Sequence, residues 1–296
     1  MTDTITYLIG VDGGGSGTRV ALAGLDGIEL ARGHAGASGL RNGADLAWHA
    51  ILQAVNSAFD SCALPVPEFA QLAIGAGLAG VHNKQWATAF ADKNPGFARL
   101  RLETDAYTTL LGAHQGQPGA IVAIGTGSVG ESLSTDGVRL EVGGWGFPCG
   151  DEAGGAWLGL RAVNHLQQVL DGRSQADPFS DAVLQHCGGN LAAAFNWLGA
   201  ATQGSFAQLA PLVVEHARSN ASGIAAQIMH NASDEIVRLA AALDRTLTLP
   251  IALCGGLAQA YLPYLPEALV NRIVPAHGDA VAGALLMIKK SIESHA

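Results

Sequence analysis

The chain has 296 residues, of which 49% are hydrophobic and 14% are charged, and its formal net charge at pH 7 is −9. The apolar content is sufficient for a buried core and excludes an intrinsically disordered chain. The negative charge argues against nucleic acid or an acidic membrane as a partner, and no apolar segment is long enough to span a bilayer. Because the chain also shows no secretory signal and no closely spaced cysteine pair, we expect a cytoplasmic protein with reduced thiols.

The first part of the chain alternates predicted strands with predicted helices. We expect strands at residues 7–12, 18–23, 29–34, 72–77 and 100–104, and helices at residues 45–59, 84–91 and 106–114. At residue 117 this arrangement begins again, with strands at residues 120–124 and 129–134 on either side of a Gly/Ser/Thr turn. We interpret this as a weak internal repeat of two domains, residues 1–116 and 117–296.

The rest of the second half is predicted to be mostly helical. The expected helices cover residues 156–170, 177–186, 190–199, 206–219, 223–243 and 279–290, and one strand covers residues 250–254. Strands that alternate with helices indicate an α/β fold. The apolar helices suit either a homodimer interface or a core.

A glycine-rich turn follows the first predicted strand, which ends in Asp12. The turn consists of residues with small or hydroxyl side chains: Gly13, Gly14, Gly15, Ser16, Gly17 and Thr18. Glycine lets consecutive backbone amides approach a phosphate, and Asp12 is placed to hold Mg²⁺ beside it. The turn lacks a Gly-Lys-Ser/Thr ending, and a strand follows it, which excludes a Walker A loop and a Rossmann fingerprint. An ordinary glycine-rich hairpin is the alternative.

Two further glycine turns follow predicted strands in the second half. The first consists of Gly125, Thr126, Gly127 and Ser128, and the second contains Gly255 and Gly256. The first occupies the position equivalent to the N-terminal turn, so the pair predicts that a polyphosphate is bound from two sides, although each turn alone would suit a plain hairpin. The second lies between a strand and a helix, where a nucleoside could bind.

Two carboxylate-containing segments suggest chemistry on a polar ligand. Residues 143–155 combine Trp145, Asp151 and Glu152 with six glycines, which suits a ligand with several hydroxyls. The alternative is that the two carboxylates only complement a helix N-terminus. Asp105 follows a strand, where it could deprotonate an attacking alcohol or, alternatively, cap the next helix.

Taken in order, five segments resemble the sugar kinase/Hsp70/actin superfamily. They are GVDGGGSGTR at 10–19, TDA at 104–106, AIGTGS at 123–128, GGWGFPCGDEAGGAWLG at 143–159 and LCGGLA at 253–258. Within that superfamily the chain is similar to the N-acetylglucosamine kinase family, which groups with the BadF/BadG/BcrA/BcrD-type ATPases. The resemblance implies two actin-like ATPase (ribonuclease H-like) domains that use ATP and Mg²⁺.

The resemblance also implies roles for individual residues. Asp105 would be the catalytic base for the sugar 6-hydroxyl, Asp12 would be linked to magnesium, and the turns at 13–18 and 125–128 would bind phosphate. Gly255 and Gly256 would bind adenosine. The sugar would contact a second set of residues, namely Thr126, Gly144, Trp145, Asp151 and Ala156 together with Asp105. The family usually has a sugar-binding Asn where this chain has Gly39, and Asn42 is the nearest substitute.

These features predict an amino-sugar kinase that acts on N-acetylglucosamine or glucosamine. An ATPase that drives a conformational change in a partner enzyme is the first alternative, but its relatives use clustered cysteines that this chain lacks. A sugar sensor without catalysis is the second, and the presence of Asp12 and Asp105 argues against it.

Overall fold

A computed structural model describes residues 5–294 of the protein. The chain forms two compact units. The first unit contains residues 5–119 and 275–294, and the second contains Ala120–Val274. No helix in the described range is long and apolar enough to cross a membrane.

The first unit is built on a five-stranded sheet. Its elements up to residue 114 are β1 (Tyr7–Gly13), β2 (Thr18–Ala23), β3 (Glu29–Ala35), α1 (Ala44–Ser61), β4 (Leu72–Leu78), α2 (Lys84–Asp92), β5 (Arg99–Glu103) and α3 (Asp105–His114). The strand order is β3-β2-β1-β4-β5. Strands β1, β2 and β3 form an antiparallel meander, whereas β4 pairs in parallel with both β1 and β5. The parallel register places Asp12 of β1 beside Gly77 of β4, and Gly77 beside Glu103 of β5.

One face of this sheet carries an apolar core that is closed by α1 and α2. Aliphatic residues of β1, β2 and β4 pack there against α1. Trp48 of α1 stacks on Phe90 and on Phe97, with ring centroids 4.2 Å and 5.7 Å apart. The indole N–H of Trp48 donates to the Phe90 carbonyl at 2.9 Å, so its polar atom is satisfied inside the core.

The second unit has a smaller sheet and more helices. Its elements are β6 (Gly119–Ile124), β7 (Ser128–Leu133), β8 (Arg139–Gly143), α4 (Gly155–Leu170), α5 (Pro178–His186), α6 (Leu191–Ala200), α7 (Gln203–Ala207), α8 (Ala210–Ser219), α9 (Ile224–Leu243), β9 (Ile251–Cys254), α10 (Ala258–Tyr261) and α11 (Glu267–Val270). The strand order is β8-β7-β6-β9, with β9 parallel to β6. The predicted α/β class is confirmed.

The structure of this unit differs from the sequence analysis in two places. The expected helix at residues 206–219 is interrupted, because Pro211 lies in the first turn of α8 and has no N–H to continue the helix from α7. Strand β8 was not predicted. It pairs antiparallel with β7, which lies beside β6 in the sheet.

The last helix, α12 (Ala280–Glu293), belongs to the first compact unit, whereas the sequence analysis placed it with residues 117–296. It packs on the face of the β1–β2–β4 sheet opposite α1 through Val281, Leu285 and Ile288. A methyl group on Gly10 of β1 would lie 2.5 Å from the Val281 carbonyl oxygen, and one on Gly75 of β4 would lie 2.3 Å from that of Ala284. Glycine on two neighbouring strands therefore lets the helix backbone approach the sheet directly.

Candidate active site

The first glycine turn joins β1 to β2 and is fixed by backbone hydrogen bonds. The Gly14 N–H donates to the Gly17 carbonyl at 3.0 Å. The Gly14 carbonyl in turn accepts from the amides of Ser38 and Gly39, at 3.2 Å and 3.1 Å. These bonds hold the segment that follows β3 against the turn, so the turn has a defined shape before any ligand binds.

Two groups can be distinguished among the glycines of the predicted phosphate and nucleoside turns. A methyl group on Gly13 would lie 2.0 Å from the Ser38 hydroxyl, and one on Gly255 would lie 2.3 Å from the Ile124 carbonyl oxygen. The second group comprises Gly14, Gly15, Gly125 and Gly256, where a methyl group would meet no described atom within 4 Å other than those of the adjoining residues in the chain. None of these four has a backbone in the left-handed region. Neither packing nor conformation requires glycine at these four positions, so their backbone is open to a ligand.

Two hydroxyls of these turns are engaged inside the protein. The Thr18 hydroxyl donates to the Gly36 carbonyl at 2.6 Å and lies 2.7 Å from the Ser38 hydroxyl. The Ser128 hydroxyl donates to the Glu152 carbonyl. Both side chains are buried, so in this structure their hydroxyls hold loops together. Phosphate contacts of these residues, and of Ser16, stay predictions.

Two carboxylates lie near the carboxyl ends of β1 and β5 in the first unit. Asp12 accepts from Nε of Arg19 at 2.9 Å, across the β1–β2 pair. Asp105 is the first residue of α3, and the capping role left open by the sequence belongs to Thr104, whose hydroxyl accepts from the Tyr107 amide at 3.1 Å. Asp105 therefore does not cap the helix.

The environment of Asp105 changes its acidity. Burial raises the pKa of the Asp105 carboxyl, and the negative charge of Asp12 raises it further. The Ala106 amide, which donates to Asp105 Oδ1 at 3.0 Å, acts in the opposite direction. A carboxylate with a raised pKa is a stronger base than an exposed one, and this is the property that proton abstraction from an alcohol needs.

In the second unit, the second phosphate turn and the segment at residues 143–156 are in direct contact. The Gly155 amide donates to the Gly125 carbonyl at 2.8 Å, and the Ala156 amide donates to the Thr126 carbonyl at 2.9 Å. The Gly144 amide donates to the carbonyl of Ser128 at 3.2 Å. Residues predicted to bind phosphate and residues predicted to bind sugar are thus brought together in one cluster.

The side chains of the 143–156 segment differ strongly in exposure. Trp145 is 87% exposed, whereas Asp151 is only 7% exposed. Asp151 accepts from the Gly146 amide at 3.1 Å, and burial raises the pKa of its carboxyl. In the alternative, Asp151 would only complement the N-terminus of α4. Because α4 begins four residues later, this alternative does not account for the burial of Asp151 or for its bond with the Gly146 amide. Trp145 presents its ring outward, as an apolar surface that a ligand could cover.

A pocket of about 620 Å³ adjoins the turn after β9. Gly256, Leu257, Gln259 and Ala260 form one wall. The other wall comes from α8 and consists of Pro211, Val214, Glu215, Arg218 and Ser219. The sequence analysis identified Gly256 but missed the α8 wall, because no motif marks residues that only the packing of a helix brings to the pocket.

Asn42, the predicted substitute for the sugar-binding Asn, ends a short 3₁₀ helix at Leu40–Asn42. Its amide donates to the Gly39 carbonyl at 3.1 Å, and the residue is exposed. A methyl group on Gly39 would lie 3.4 Å from the Gly14 carbonyl carbon, so position 39 itself adjoins the first turn. Residues 5–294 contain no group of three or more His, Cys, Asp or Glu side chains that could hold a metal ion.

Comparison with solved structures supports the predicted fold. The crystal structure of the proposed N-acetylglucosamine kinase from Chromobacterium violaceum is 51% identical, with a TM-score of 0.93 over 96% of this chain and 99% of that one. A glucokinase of the ROK family from Streptomyces griseus, in complex with glucose and AMPPNP, is 17% identical with a TM-score of 0.57, over 96% and 98% of the two chains. The predicted actin-like sugar kinase fold is confirmed.

Sequence comparison gives the family. The glucosamine kinase GspK of Vibrio cholerae is 29% identical over 286 residues, which is 97% of this chain and 97% of that protein. The BadF/BadG/BcrA/BcrD ATPase family matches residues 9–287. Because this match spans nearly the whole chain, the protein belongs to the BadF/BadG/BcrA/BcrD ATPase family.

Proposed function

We propose that this protein is an ATP-dependent kinase that phosphorylates the 6-hydroxyl of an amino sugar, either N-acetylglucosamine or glucosamine. The family to which the chain belongs consists of ATPases. Relatives that match over nearly their whole length are named as kinases of these two sugars. The substrate class therefore has support from two independent similarities.

The observation that carries the proposal is a set of four glycines at which the space for a side chain is open. Gly14 and Gly15 follow β1, Gly125 follows β6 and Gly256 follows β9. In α/β folds, ligands bind beyond the carboxyl ends of the strands, and a bare backbone there lets amides contact phosphate oxygens. Binding of phosphate oxygens explains the open backbone at each of these positions.

The pocket beside Gly256 supports binding of the nucleoside part of ATP. Its volume of about 620 Å³ lies within the usual range of small-molecule sites. Val214, Leu257 and Ala260 offer an apolar surface for the base, while Glu215 and Arg218 offer charged groups for ribose hydroxyls and base edges.

Asp105 suits the role of general base. It would take the proton of the sugar hydroxyl while the hydroxyl oxygen forms a bond to the γ-phosphorus. The bond from that phosphorus to the β,γ-bridging oxygen breaks, and ADP is the leaving group. The raised pKa of Asp105 lets its carboxylate accept this proton. Thr104, and not Asp105, caps α3, so the Asp105 carboxylate is not needed for capping.

The carboxylates of the first unit fit a magnesium ion. Asp12 already attracts a cationic group, the Arg19 guanidinium, and its negative charge acts on Asp105. Mg²⁺ is bound in kinases through one or two carboxylates and the phosphates of the substrate, and it would neutralise charge on the transferred group. Asp12 is the residue of this chain that would hold it.

The 143–156 segment suits recognition of the sugar. Trp145 would cover one apolar face of the ring, and the Asp151 carboxylate would accept hydrogen bonds from sugar hydroxyls. Gly144, Thr126 and Ala156 belong to the same cluster of backbone contacts. A contribution from Asn42 stays a prediction.

The decisive experiment measures ADP and sugar phosphate formation from ATP with glucose, glucosamine, N-acetylglucosamine and no sugar. We expect ADP formation to require an amino sugar and to equal the sugar phosphate formed. Release of inorganic phosphate at the same rate with and without sugar would contradict the proposal and favour an ATPase that acts on a partner enzyme. Sugar binding with no turnover would favour a sensor.

Two further expectations concern the protein as a whole. We propose a cytoplasmic location, since ATP and phosphorylated sugars are used there, and fractionation of the native host would check it. A homodimer stays a prediction, to be measured by sedimentation of the purified protein.

A further inference from the structure

Asp151 lies in a strained and buried position. Its backbone is left-handed, with φ at 62°, as is that of Ala153 with φ at 66°. A non-glycine residue in this region is uncommon and persists only where its surroundings hold it. The surroundings include the buried Tyr261, whose hydroxyl donates to the Ala153 carbonyl.

The Asp151 carboxylate is satisfied by neutral donors. Oδ1 accepts from the Gly146 amide at 3.1 Å, and Oδ2 accepts from Nε2 of Gln203 at 3.0 Å. A methyl group on Gly127 would lie 2.3 Å from Oδ2, so the carboxylate adjoins the second phosphate turn. Within the described range, no Arg, Lys or His forms an ion pair with Asp151.

The charged state of Asp151 depends on these donors. Burial raises the pKa of the Asp151 carboxyl, and the charge of Glu152 acts in the same direction. Hydrogen bonds from the Gly146 backbone, the Gln203 side chain and the Ser128 backbone lower this pKa again. Gln203 is the side chain in this balance that stabilises the charged form, since a donor to a carboxylate favours ionisation.

Gln203 is itself held firmly. It is the first residue of α7, where Thr202 and Ser205 form a capping box. Phe206 of the same helix packs on Phe147 with ring centroids 5.2 Å apart. This is a second contact between α7 and the 143–156 segment. A methyl group on Gly159 of α4 would lie 1.9 Å from the Phe206 carbonyl oxygen, so α7 is in direct backbone contact with α4.

We propose that Gln203 is a positioning residue for the sugar site, which holds the Asp151 carboxylate charged and oriented to accept hydrogen bonds from the amino sugar. This role rests on the proposed kinase function, since Asp151 is a sugar ligand only there. It adds a residue outside the glycine-rich segment to the site. No sequence motif marks it, because α7 reaches Asp151 from 52 positions along the chain.

The test compares Gln203→Leu, which removes the donor at similar size, with Gln203→Glu, which replaces the donor by an acceptor. Gln208→Leu is the matched control, because Gln208 is exposed at the end of the same helix. We expect the KM for the amino sugar to rise about tenfold in Gln203→Leu and further in Gln203→Glu. The KM for ATP should stay within about twofold of wild type, as should both constants in Gln208→Leu.

A second readout is the titration of the Asp151 carboxyl carbon by NMR, assigned with Asp151→Asn. We expect the pKa of Asp151 to rise by about 1 in Gln203→Leu, because one hydrogen bond to the charged form is lost. An active wild type with an unchanged sugar KM in Gln203→Leu, or an unchanged Asp151 titration, would overturn the role of Gln203 alone. A wild type that turns over no amino sugar would overturn the proposed function and this role with it.

Discussion

Replacing Gly15 or Gly125 by alanine should weaken ATP binding and leave the fold intact. Both glycines lie in turns after a strand, and an added methyl group meets no described atom within 4 Å beyond the adjoining residues in the chain. Neither residue has a left-handed backbone, so alanine adopts the same conformation without strain. The two consequences of the substitution, for stability and for ATP, therefore differ in sign.

The expected magnitudes follow from this geometry. Alanine restricts the unfolded chain more than glycine does, which stabilises the folded protein by about 0.4–1 kcal/mol where the conformation is compatible. The methyl group occupies the space through which a phosphate oxygen reaches the backbone. Loss of one hydrogen bond to a charged phosphate costs about 2 kcal/mol, which corresponds to roughly a 30-fold rise in the KM for ATP.

Urea unfolding gives the stability of each variant, and initial rates at varied ATP give its KM. Gly199→Ala is the matched control, because a methyl group on Gly199 also meets no described atom within 4 Å beyond its own helix, and Gly199 lies in α6 rather than in a turn. It should gain stability with no change in the KM for ATP. Gly283→Ala provides the opposite case, since its methyl group would lie 1.8 Å from the Thr108 carbonyl oxygen and should destabilise the protein by about 1–3 kcal/mol.

Two results would refute the reasoning. An unchanged KM for ATP in both Gly15→Ala and Gly125→Ala would mean that no phosphate approaches these turns. A marked loss of stability in either variant would mean that glycine is needed there by the fold itself. Each result identifies which half of the argument is wrong.

Three further predictions concern ionisable groups. Asp105→Asn should lower kcat by about 10²- to 10⁴-fold with little change in the KM for sugar or for ATP. In the wild type, kcat should fall as the pH drops through the raised pKa of Asp105, and a pH–rate profile measures this fall. Burial raises the pKa of the Glu131 carboxyl to about 7, from an ordinary value of 4.5 in the unfolded chain. Between pH 4.5 and 7 the folded state therefore holds a proton that the unfolded state has released, and the free energy of unfolding falls as the pH rises through this range. In urea unfolding, Glu131→Gln should therefore be more stable than wild type at pH 8, by at most about 3 kcal/mol, and should lose this advantage at pH 5. Arg272→Met should cost about 3 kcal/mol in the same assay, because it leaves the buried Asp244 without the guanidinium that lies 2.8 Å away. Equal unfolding curves for Arg272→Met and wild type would show that the backbone donors to Asp244 suffice.

The features that could be predicted from the sequence are those with local causes. Strand β2 has the predicted bounds. The glycine turn that precedes it follows from neighbouring residues, since the need for bare backbone is expressed within a few positions. Strand β8 escaped prediction because it is an edge strand whose Arg139 and Glu141 resemble a polar loop.

The features that could not be predicted arise from contacts between distant segments. The α8 wall of the pocket, the Gln203 bond to Asp151 and the return of α12 to the first unit all depend on packing. The alternatives for Asp105 illustrate the same limit, because only the geometry of the Thr104 hydroxyl shows which residue caps α3.

The glycine content therefore has two physical causes that act on the same site. Gly77 of β4 is one that packing requires, because a methyl group there would lie 2.0 Å from the Thr108 hydroxyl of α3. Because Gly77 has no side chain, the first turns of α3 pack directly against β4 at the position where Gly77 pairs with Asp12 of β1. Asp105 begins that helix, and this approach explains why the charge of Asp12 acts on it. Gly77, which packing requires, thus helps to place Asp105 near Asp12 and the first glycine turn, and the backbone of that turn is open to a ligand.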